Sequence, residues 1–187
     1  IGRATQGLAQ YVLREGSSGP EGRPSAVIAH DSRRYSVTFA LQTALVFAAN
    51  GIKAYLFPSL RPTPELSFAV RRVGASAGVV VTASHNPPEY NGYKVYWNDG
   101  SQVVAPHDTA IIAEVQSVTT DIRALDKDDA LEQGLLEYLG SDMDDAYVEA
   151  TKSVSIRPEL LREKGSSVSV VFTPLHGTGA MLVERVL

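Results

Sequence analysis

Short apolar runs alternate with amphipathic stretches along the first half of the chain. Three runs have the length and composition of strands that are buried on both faces: 26–29, 52–57 and 78–81. Between these runs, apolar residues recur at helical spacing over 39–49 and from Pro64 to about Val73, and a similar pattern covers residues 1–14. Strands that alternate with helices in this way are typical of a mostly parallel sheet with helices on its faces.

The pattern changes in the second half of the domain. Residues 93–97 alternate like a strand, 98–100 form a turn signal, and 102–104 can pair back as a hairpin. The acidic stretch 119–140 has weak periodicity and is predicted to be a surface excursion, and Ser141 caps a further helix. We therefore predict an α/β fold with three layers, α/β/α, whose mixed sheet is mostly parallel and has an antiparallel hairpin at its edge.

The end of the chain predicts a second unit. After a connecting helix, 168–172 has the composition of a new buried strand, 176–179 forms a tight loop, and 180–187 begins a helix. One strand, loop and helix cannot close a sheet, so we expect residues 1–157 to form one domain. Residues 158–187 are then the connecting helix and the start of a second domain whose remainder is missing.

Composition narrows the classes of function. The 187 residues include 44% hydrophobic and 20% charged residues, which is typical of a globular protein. The chain has no cysteine, which excludes a disulfide framework, a thiol nucleophile and a cysteine-based zinc site, and is compatible with the cytoplasmic location that we expect. A net charge of −4 and the lack of a long apolar run give no reason to expect nucleic acid or a membrane as partner.

Candidate chemistry lies after the predicted strands, where open parallel sheets bind their ligands. Two groups of polar residues follow the first and third strands: His30, Asp31, Ser32, Arg33 and Arg34, then Thr82, Ser84, His85, Asn86 and Lys94. Ser84 leaves a buried strand into a loop that contains two prolines, so its hydroxyl is expected to be exposed and fixed in direction. A serine nucleophile needs a proton acceptor and a phosphate needs cations, which His85, Lys94 and the forked guanidinium of Arg33 can supply.

Two consecutive motifs resemble the active-site serine loop of the α-D-phosphohexomutases, the phosphoglucomutase and phosphomannomutase superfamily: Thr82-Ala83-Ser84-His85-Asn86-Pro87 and Asn91-Gly92-Tyr93-Lys94. Further segments resemble family positions in family order: Asp31-Ser32-Arg33, Pro62-Thr63-Pro64, Asp99-Gly100 and Thr173-Pro174-Leu175-His176-Gly177. The resemblance covers most of the chain and identifies it as domain I of this family with the start of domain II.

The resemblance implies a transfer of phosphate between the 1- and 6-positions of a hexose through phospho-Ser84 and a sugar bisphosphate. It implies Lys94 as general base or acid, His85 as a helper, and Asp31, Arg33, Thr82 and Asn86 as phosphate- or substrate-binding residues. Mg²⁺ would bind an oxygen of the Ser84 phosphate, and a sugar 1,6-bisphosphate would act as activator. The expected partners are a small sugar phosphate and the missing domains II–IV of the same polypeptide, without which the fragment is expected to be inactive.

Several alternatives stay open. Glucose phosphate is the leading substrate, followed by mannose phosphate and pentose phosphate, and a non-catalytic phosphosugar-binding module is a different class of function. A serine hydrolase is disfavoured because no Gly-x-Ser-x-Gly elbow surrounds Ser84. Asp31 and Arg33 can equally form a structural pair that braces the first loop, and Arg34 is expected to face solvent.

Overall fold

A single five-stranded sheet organises the computed structural model, which describes residues 1–19, 21–119 and 122–187. Its strands are β1 (Ser25–His30), β2 (Lys53–Leu56), β3 (Ala77–Val81), β4 (Tyr93–Trp97) and β5 (Leu136–Tyr138). The strand order is β4-β3-β1-β2-β5, in which β4 is antiparallel to β3 and the other pairs are parallel. The predicted α/β class and the mostly parallel mixed sheet with an antiparallel edge are confirmed.

Helices cover both faces of the sheet. The helices of the described residues are α1 (Gly2–Glu15), α2 (Ser36–Ala49), α3 (Thr63–Val73), α4 (His107–Ser117), α5 (Lys127–Glu132), α6 (Ser141–Ser153), α7 (Pro158–Lys164) and α8 (Ala180–Val186), with a 3-10 turn at Gly165–Ser167. Of these, α7 buries none of its residues and is not part of the layers. Successive side chains of a strand point to opposite faces, so Ile28 packs with Leu8 and Phe47 on one side of β1. Val27 packs with Leu66 on the other side, which produces the three predicted layers. No helix within the described part of the chain is long and apolar enough to span a bilayer.

The acidic stretch 119–140 is more than the surface excursion that we predicted. Thr120 and Asp121 lie outside the described residues, but the rest includes α5 and the edge strand β5, which pairs with β2. Ala130 and Leu136 are buried, with 0% and 2% of their surface exposed, and anchor these elements in the core. The prediction was wrong because a three-residue strand with an acidic centre carries almost no periodic signal.

Residues 168–172 were predicted to form a strand, and this prediction is wrong for the structure. The segment has no strand assignment, and Val171 is 100% exposed. A strand is stabilised by hydrogen bonds to a neighbouring strand, and no described strand lies beside this segment. The apolar composition alone therefore predicted a strand for which the described residues provide no pairing partner.

The sheet order determines where the site lies. From β1 the chain moves to β2 on one side and then crosses back to β3 on the other side. The strand order reverses between β1 and β3, and His30 pairs with Val81 at their carboxyl ends. Ligands of open α/β sheets bind in the crevice outside such a reversal, so the loops after β1 and β3 are the first place to look for a site.

Candidate active site

Ser84 stands at the tip of the loop that follows β3. Its backbone has φ 59°, which is a left-handed conformation that non-glycine residues adopt at a cost of roughly 1–3 kcal/mol. The Thr82 hydroxyl accepts a hydrogen bond from the Ser84 N–H at 2.9 Å, and the Ser84 side chain is exposed. The returning chain passes so closely that a Cβ on Gly92 would lie 2.6 Å from the Thr82 carbonyl oxygen. The loop therefore presents the serine hydroxyl at a fixed position.

Arg33 holds the loop through its backbone oxygens. Its Nη1 donates to the carbonyls of Pro87 at 2.7 Å and Tyr90 at 2.9 Å, and its Nη2 donates to those of Ser84 at 2.8 Å and of Asn86. Since Nε forms an ion pair with Asp31 at 3.2 Å, all five N–H groups of the guanidinium face protein atoms. In this structure Arg33 organises the serine loop, and its direct contact with phosphate stays a prediction.

Asp31 ties the β1 loop together. One carboxylate oxygen accepts hydrogen bonds from the Arg33 N–H at 3.0 Å and the Ser36 hydroxyl at 2.7 Å, and the other faces Arg33 Nε. The Asp31 and Arg33 side chains are 13% and 12% exposed, so both are largely removed from solvent. This is the structural brace that the sequence left open as an alternative.

The two predicted proton carriers lie at different places. His85 Nδ1 is 3.3 Å from Ser84 Oγ, which is within hydrogen-bond distance. Lys94 lies on β4, directly opposite Val80 of β3, and is half-buried. Val80 lines the cleft beside Ser84, whereas Lys94 is one strand further from it. The structure thus brings His85 to the serine and leaves Lys94 in an adjacent position.

A cleft of about 1050 Å³ opens above these loops. All the predicted residues except Lys94 line it, namely Asp31, Arg33, Thr82, Ser84, His85 and Asn86. The loop 176–178 lines the cleft from the C-terminal segment, and the Ser32 hydroxyl donates to the His176 carbonyl at 2.9 Å. Arg34, Arg61 and Thr63 complete the wall toward α2 and α3, so the cleft is rich in cationic side chains.

A buried ionic cluster lies behind one wall and was missed by the sequence reasoning. Arg61 donates to both carboxylate oxygens of Asp144, at 2.7 and 3.0 Å, and also to Ser59 and to the Leu60 carbonyl. Glu65 lies next to this pair, with Oε2 3.6 Å from Arg61 Nε, and none of its surface is exposed. Burial and the Asp144 carboxylate raise the pKa of Glu65 to about 8. Arg61 and Asp144 are 83 positions apart, so only an assumed packing of α3 against α6 would have indicated the pair.

Mg²⁺ is implied by the family resemblance, and the side chains present do not form a site for it. Within residues 1–19, 21–119 and 122–187, no group of three or more His, Cys, Asp or Glu side chains is placed to hold a metal ion. Divalent cations of this kind prefer several carboxylate, phosphate and water oxygens. Any metal at Ser84 would depend on ligands other than these side chains.

The fold and the site define a class: an α/β domain that presents a serine hydroxyl in a cation-lined cleft. The family model described as phosphoglucomutase/phosphomannomutase, alpha/beta/alpha domain I, matches residues 1–121. The chain belongs to this family. Domain I of the α-D-phosphohexomutase superfamily, which the motifs predicted, is confirmed.

Individual relatives agree with this assignment. The chain is 40% identical to a phosphoribomutase of Saccharomyces cerevisiae over 95% of its own length and 29% of the relative, and 37% identical to a phosphoglucomutase of Staphylococcus haemolyticus over 100% and 32%. The solved open form of parafusin, a phosphoglucomutase of Paramecium, shares the fold with a TM-score of 0.75 at 18% identity over 98% of this chain and 37% of that one. The chain thus spans about a third of the length of the relatives it matches.

Proposed function

We propose that this chain is the domain of a phosphosugar mutase that carries the reactive serine, Ser84. The observation that carries the proposal is the strained, exposed position of Ser84 at the tip of a loop that Arg33 holds by four carbonyls. Phosphoryl transfer depends mainly on positioning and on neutralising charge, and a fixed hydroxyl in a cation-lined cleft suits both requirements. The relatives' names support a phosphosugar mutase without selecting one sugar.

In the proposed reaction, a hydroxyl oxygen of the sugar phosphate attacks the phosphorus of phospho-Ser84. The bond between phosphorus and Ser84 Oγ breaks, and the sugar becomes a bisphosphate. The sugar hydroxyl gives its proton to a base, for which we propose Lys94, and Ser84 Oγ takes a proton from His85. The reverse sequence with the other phosphate regenerates phospho-Ser84, so atoms and charge balance over one cycle.

We propose glucose phosphate as substrate, with mannose phosphate and pentose phosphate as the alternatives. Glucose 1,6-bisphosphate is the proposed activator, because it would supply the first phosphate to Ser84. Mg²⁺ would reduce the negative charge of that phosphate when bound. Asn86 and Thr82 shape the loop around the serine, and domains II–IV of the same polypeptide would supply the remaining ligands of metal and sugar.

The test uses the full-length protein that contains this sequence. It is incubated with Mg²⁺ and glucose 1,6-bisphosphate, and wild type, Ser84→Ala and Ser101→Ala are compared by peptide mass and by mutase turnover. Ser101 is an exposed control in the turn after β4. We expect one phosphate on the Ser84 peptide of the wild type and the control, and no phosphate and at least a thousandfold lower turnover in Ser84→Ala.

Three results discriminate among the functions. Unphosphorylated Ser84 together with unchanged turnover in Ser84→Ala would refute the proposal. No phosphorylation and no turnover in any protein, combined with measurable glucose 1-phosphate binding, would indicate the non-catalytic binding module. Turnover with mannose or ribose phosphate instead of glucose phosphate would keep the mechanism and change the substrate.

A further inference from the structure

Three arginines line the cleft, and the structure distinguishes them by what their donors contact. The Arg33 guanidinium donates hydrogen bonds to four loop carbonyls and forms an ion pair with Asp31. The Arg61 guanidinium donates hydrogen bonds to Asp144, Ser59 and Leu60, and Arg61 is 5% exposed. All five N–H groups of Arg33 therefore face protein atoms, and four of the five N–H groups of Arg61 donate to partners in the described residues, on a side chain that is almost fully buried.

Arg34 differs from both neighbours. Its guanidinium makes no hydrogen bond or ion pair with any described residue, although Glu89 lines the same cleft. Its side chain is exposed to the cleft, and a guanidinium keeps its charge and its forked donors at any pH of interest. Of the cleft's arginines, Arg34 is therefore the one whose donors face solvent and not protein.

The backbone that carries Arg34 is fixed. The Asn91 side chain donates to the Arg34 carbonyl at 3.0 Å and to the Ser36 hydroxyl at 2.9 Å, which ties this segment to the end of the serine loop. Tyr35, the next residue, has φ 64°. Among the described residues, Tyr35 and Ser84 are the two non-glycine positions with a left-handed backbone; Ser84 lines the cleft, and Tyr35 directly follows Arg34, which also lines it. Such strain persists only where the surroundings hold it, and it clusters at functional sites.

We propose that Arg34 is the side chain that binds a phosphoryl group in this cleft, while Arg33 and Arg61 act as positioning residues. The inference rests on the proposed phosphosugar function and changes the residue that meets the ligand, since the motif resemblance assigned phosphate to Arg33. The phosphoryl group has two sources, the sugar phosphate and phospho-Ser84, which share the same chemistry. A planar fork binds two phosphate oxygens at once, which a lysine at this position would not reproduce.

The first arm measures binding without any need for turnover. Glucose 1-phosphate is titrated by calorimetry into the full-length protein as wild type, Arg34→Gln, Arg34→Lys and Arg23→Gln. Arg23 is an exposed arginine that precedes β1, so it lies at the amino end of this strand, whereas the cleft lies at the carboxyl end. If Arg34 binds the sugar's phosphate, Kd rises at least about tenfold in Arg34→Gln and less in Arg34→Lys, and stays unchanged in Arg23→Gln.

The second arm measures the serine's phosphate. The same variants are loaded with glucose 1,6-bisphosphate, freed of sugar, and followed by intact mass to obtain the amount and lifetime of phospho-Ser84. If Arg34 binds this phosphate, the lifetime or the amount falls at least about fivefold in Arg34→Gln, whereas the Kd for glucose 1-phosphate keeps its wild-type value. An Arg34→Gln protein that equals Arg23→Gln in both arms overturns the inference, as does a wild type that neither binds the sugar phosphate nor retains phosphate on Ser84. Failure of the proposed function alone has a different result, namely Arg34-dependent binding of glucose 1-phosphate with Ser84 unmodified.

Discussion

Replacing Glu65 by glutamine tests whether the carboxyl group beneath the cleft wall holds a proton in the folded protein. Glu65 is fully buried on α3, and neither of its carboxyl oxygens has a hydrogen-bond partner among the described residues. Arg61 is already paired with Asp144, whose negative charge lies close to Glu65. Burial, together with this charge, raises the pKa of Glu65 from 4.5 to about 8.

The sign of the effect follows from proton linkage. Between pH 4.5 and 8 the folded state keeps the Glu65 proton and the unfolded chain releases it. The stabilising contribution is therefore complete below pH 4.5 and is lost as pH rises, at a rate of up to about 1.4 kcal/mol per pH unit until pH 8. Glutamine has nearly the same shape and no proton to release, so Glu65→Gln removes this fall of the free energy of unfolding with pH.

The assay is urea unfolding at pH 5, 6, 7, 8 and 9. Trp97 is the chain's single tryptophan and stacks on His107 at 4.7 Å, so its fluorescence reports the loss of packing. We expect the free energy of unfolding of Glu65→Gln to rise relative to wild type by about 1 kcal/mol or more per pH unit between pH 6 and 8. Glu163→Gln, an exposed site on α7, provides the matched control. Parallel stability curves for wild type and Glu65→Gln would refute the argument.

Two further predictions test the packing around the site. Arg33→Lys keeps the positive charge but loses the forked donors that bind the loop carbonyls. We therefore expect the rate of hydrogen–deuterium exchange of residues 84–92 to rise at least tenfold while β3 stays protected. Unchanged exchange would contradict the role of Arg33 in holding the loop. Gly7→Ala places a Cβ 2.5 Å from the Val115 backbone where α1 packs on α4, so urea unfolding should show a loss of about 1–3 kcal/mol. Helix propensity alone predicts that the same change raises the free energy of unfolding by about 1 kcal/mol. The sign of the measured change therefore shows whether the close packing of α1 on α4 or helix propensity dominates.

Much of the fold could be predicted from the sequence because its central strands carry strong local signals. The apolar runs around Ile28 and Val80 are buried on both faces, and the intervening helical patterns require crossovers that make the strands parallel. The serine loop was predicted for a similar reason, since Thr82, Ser84 and the prolines that follow are contiguous in the chain.

The remainder depends on contacts between residues that are distant in sequence. β5 is defined by its pairing with β2, and among residues 1–19, 21–119 and 122–187 no strand pairs with the segment around Val171, so composition alone misjudged both segments. Arg33 illustrates the same limit within the site. Its residue type favoured phosphate, but the orientation of four carbonyls from a loop 51 positions away directs its donors to the backbone. Which of two adjacent arginines remains open to a ligand was therefore a matter of tertiary structure.

Arg33 contacts main-chain oxygens of the serine loop, and this has a consequence for how the loop can change. Each residue supplies a carbonyl oxygen, so the shape of 84–90 does not depend on side chains such as those of Glu89 and Tyr90. Those side chains are exposed, and the loop can exchange them while Ser84 keeps its place. The domain thus separates a backbone that Arg33 holds in place from side chains that can be exchanged. One of these, Glu89, lines the cleft, so the cleft can be altered by substitution and without a new backbone.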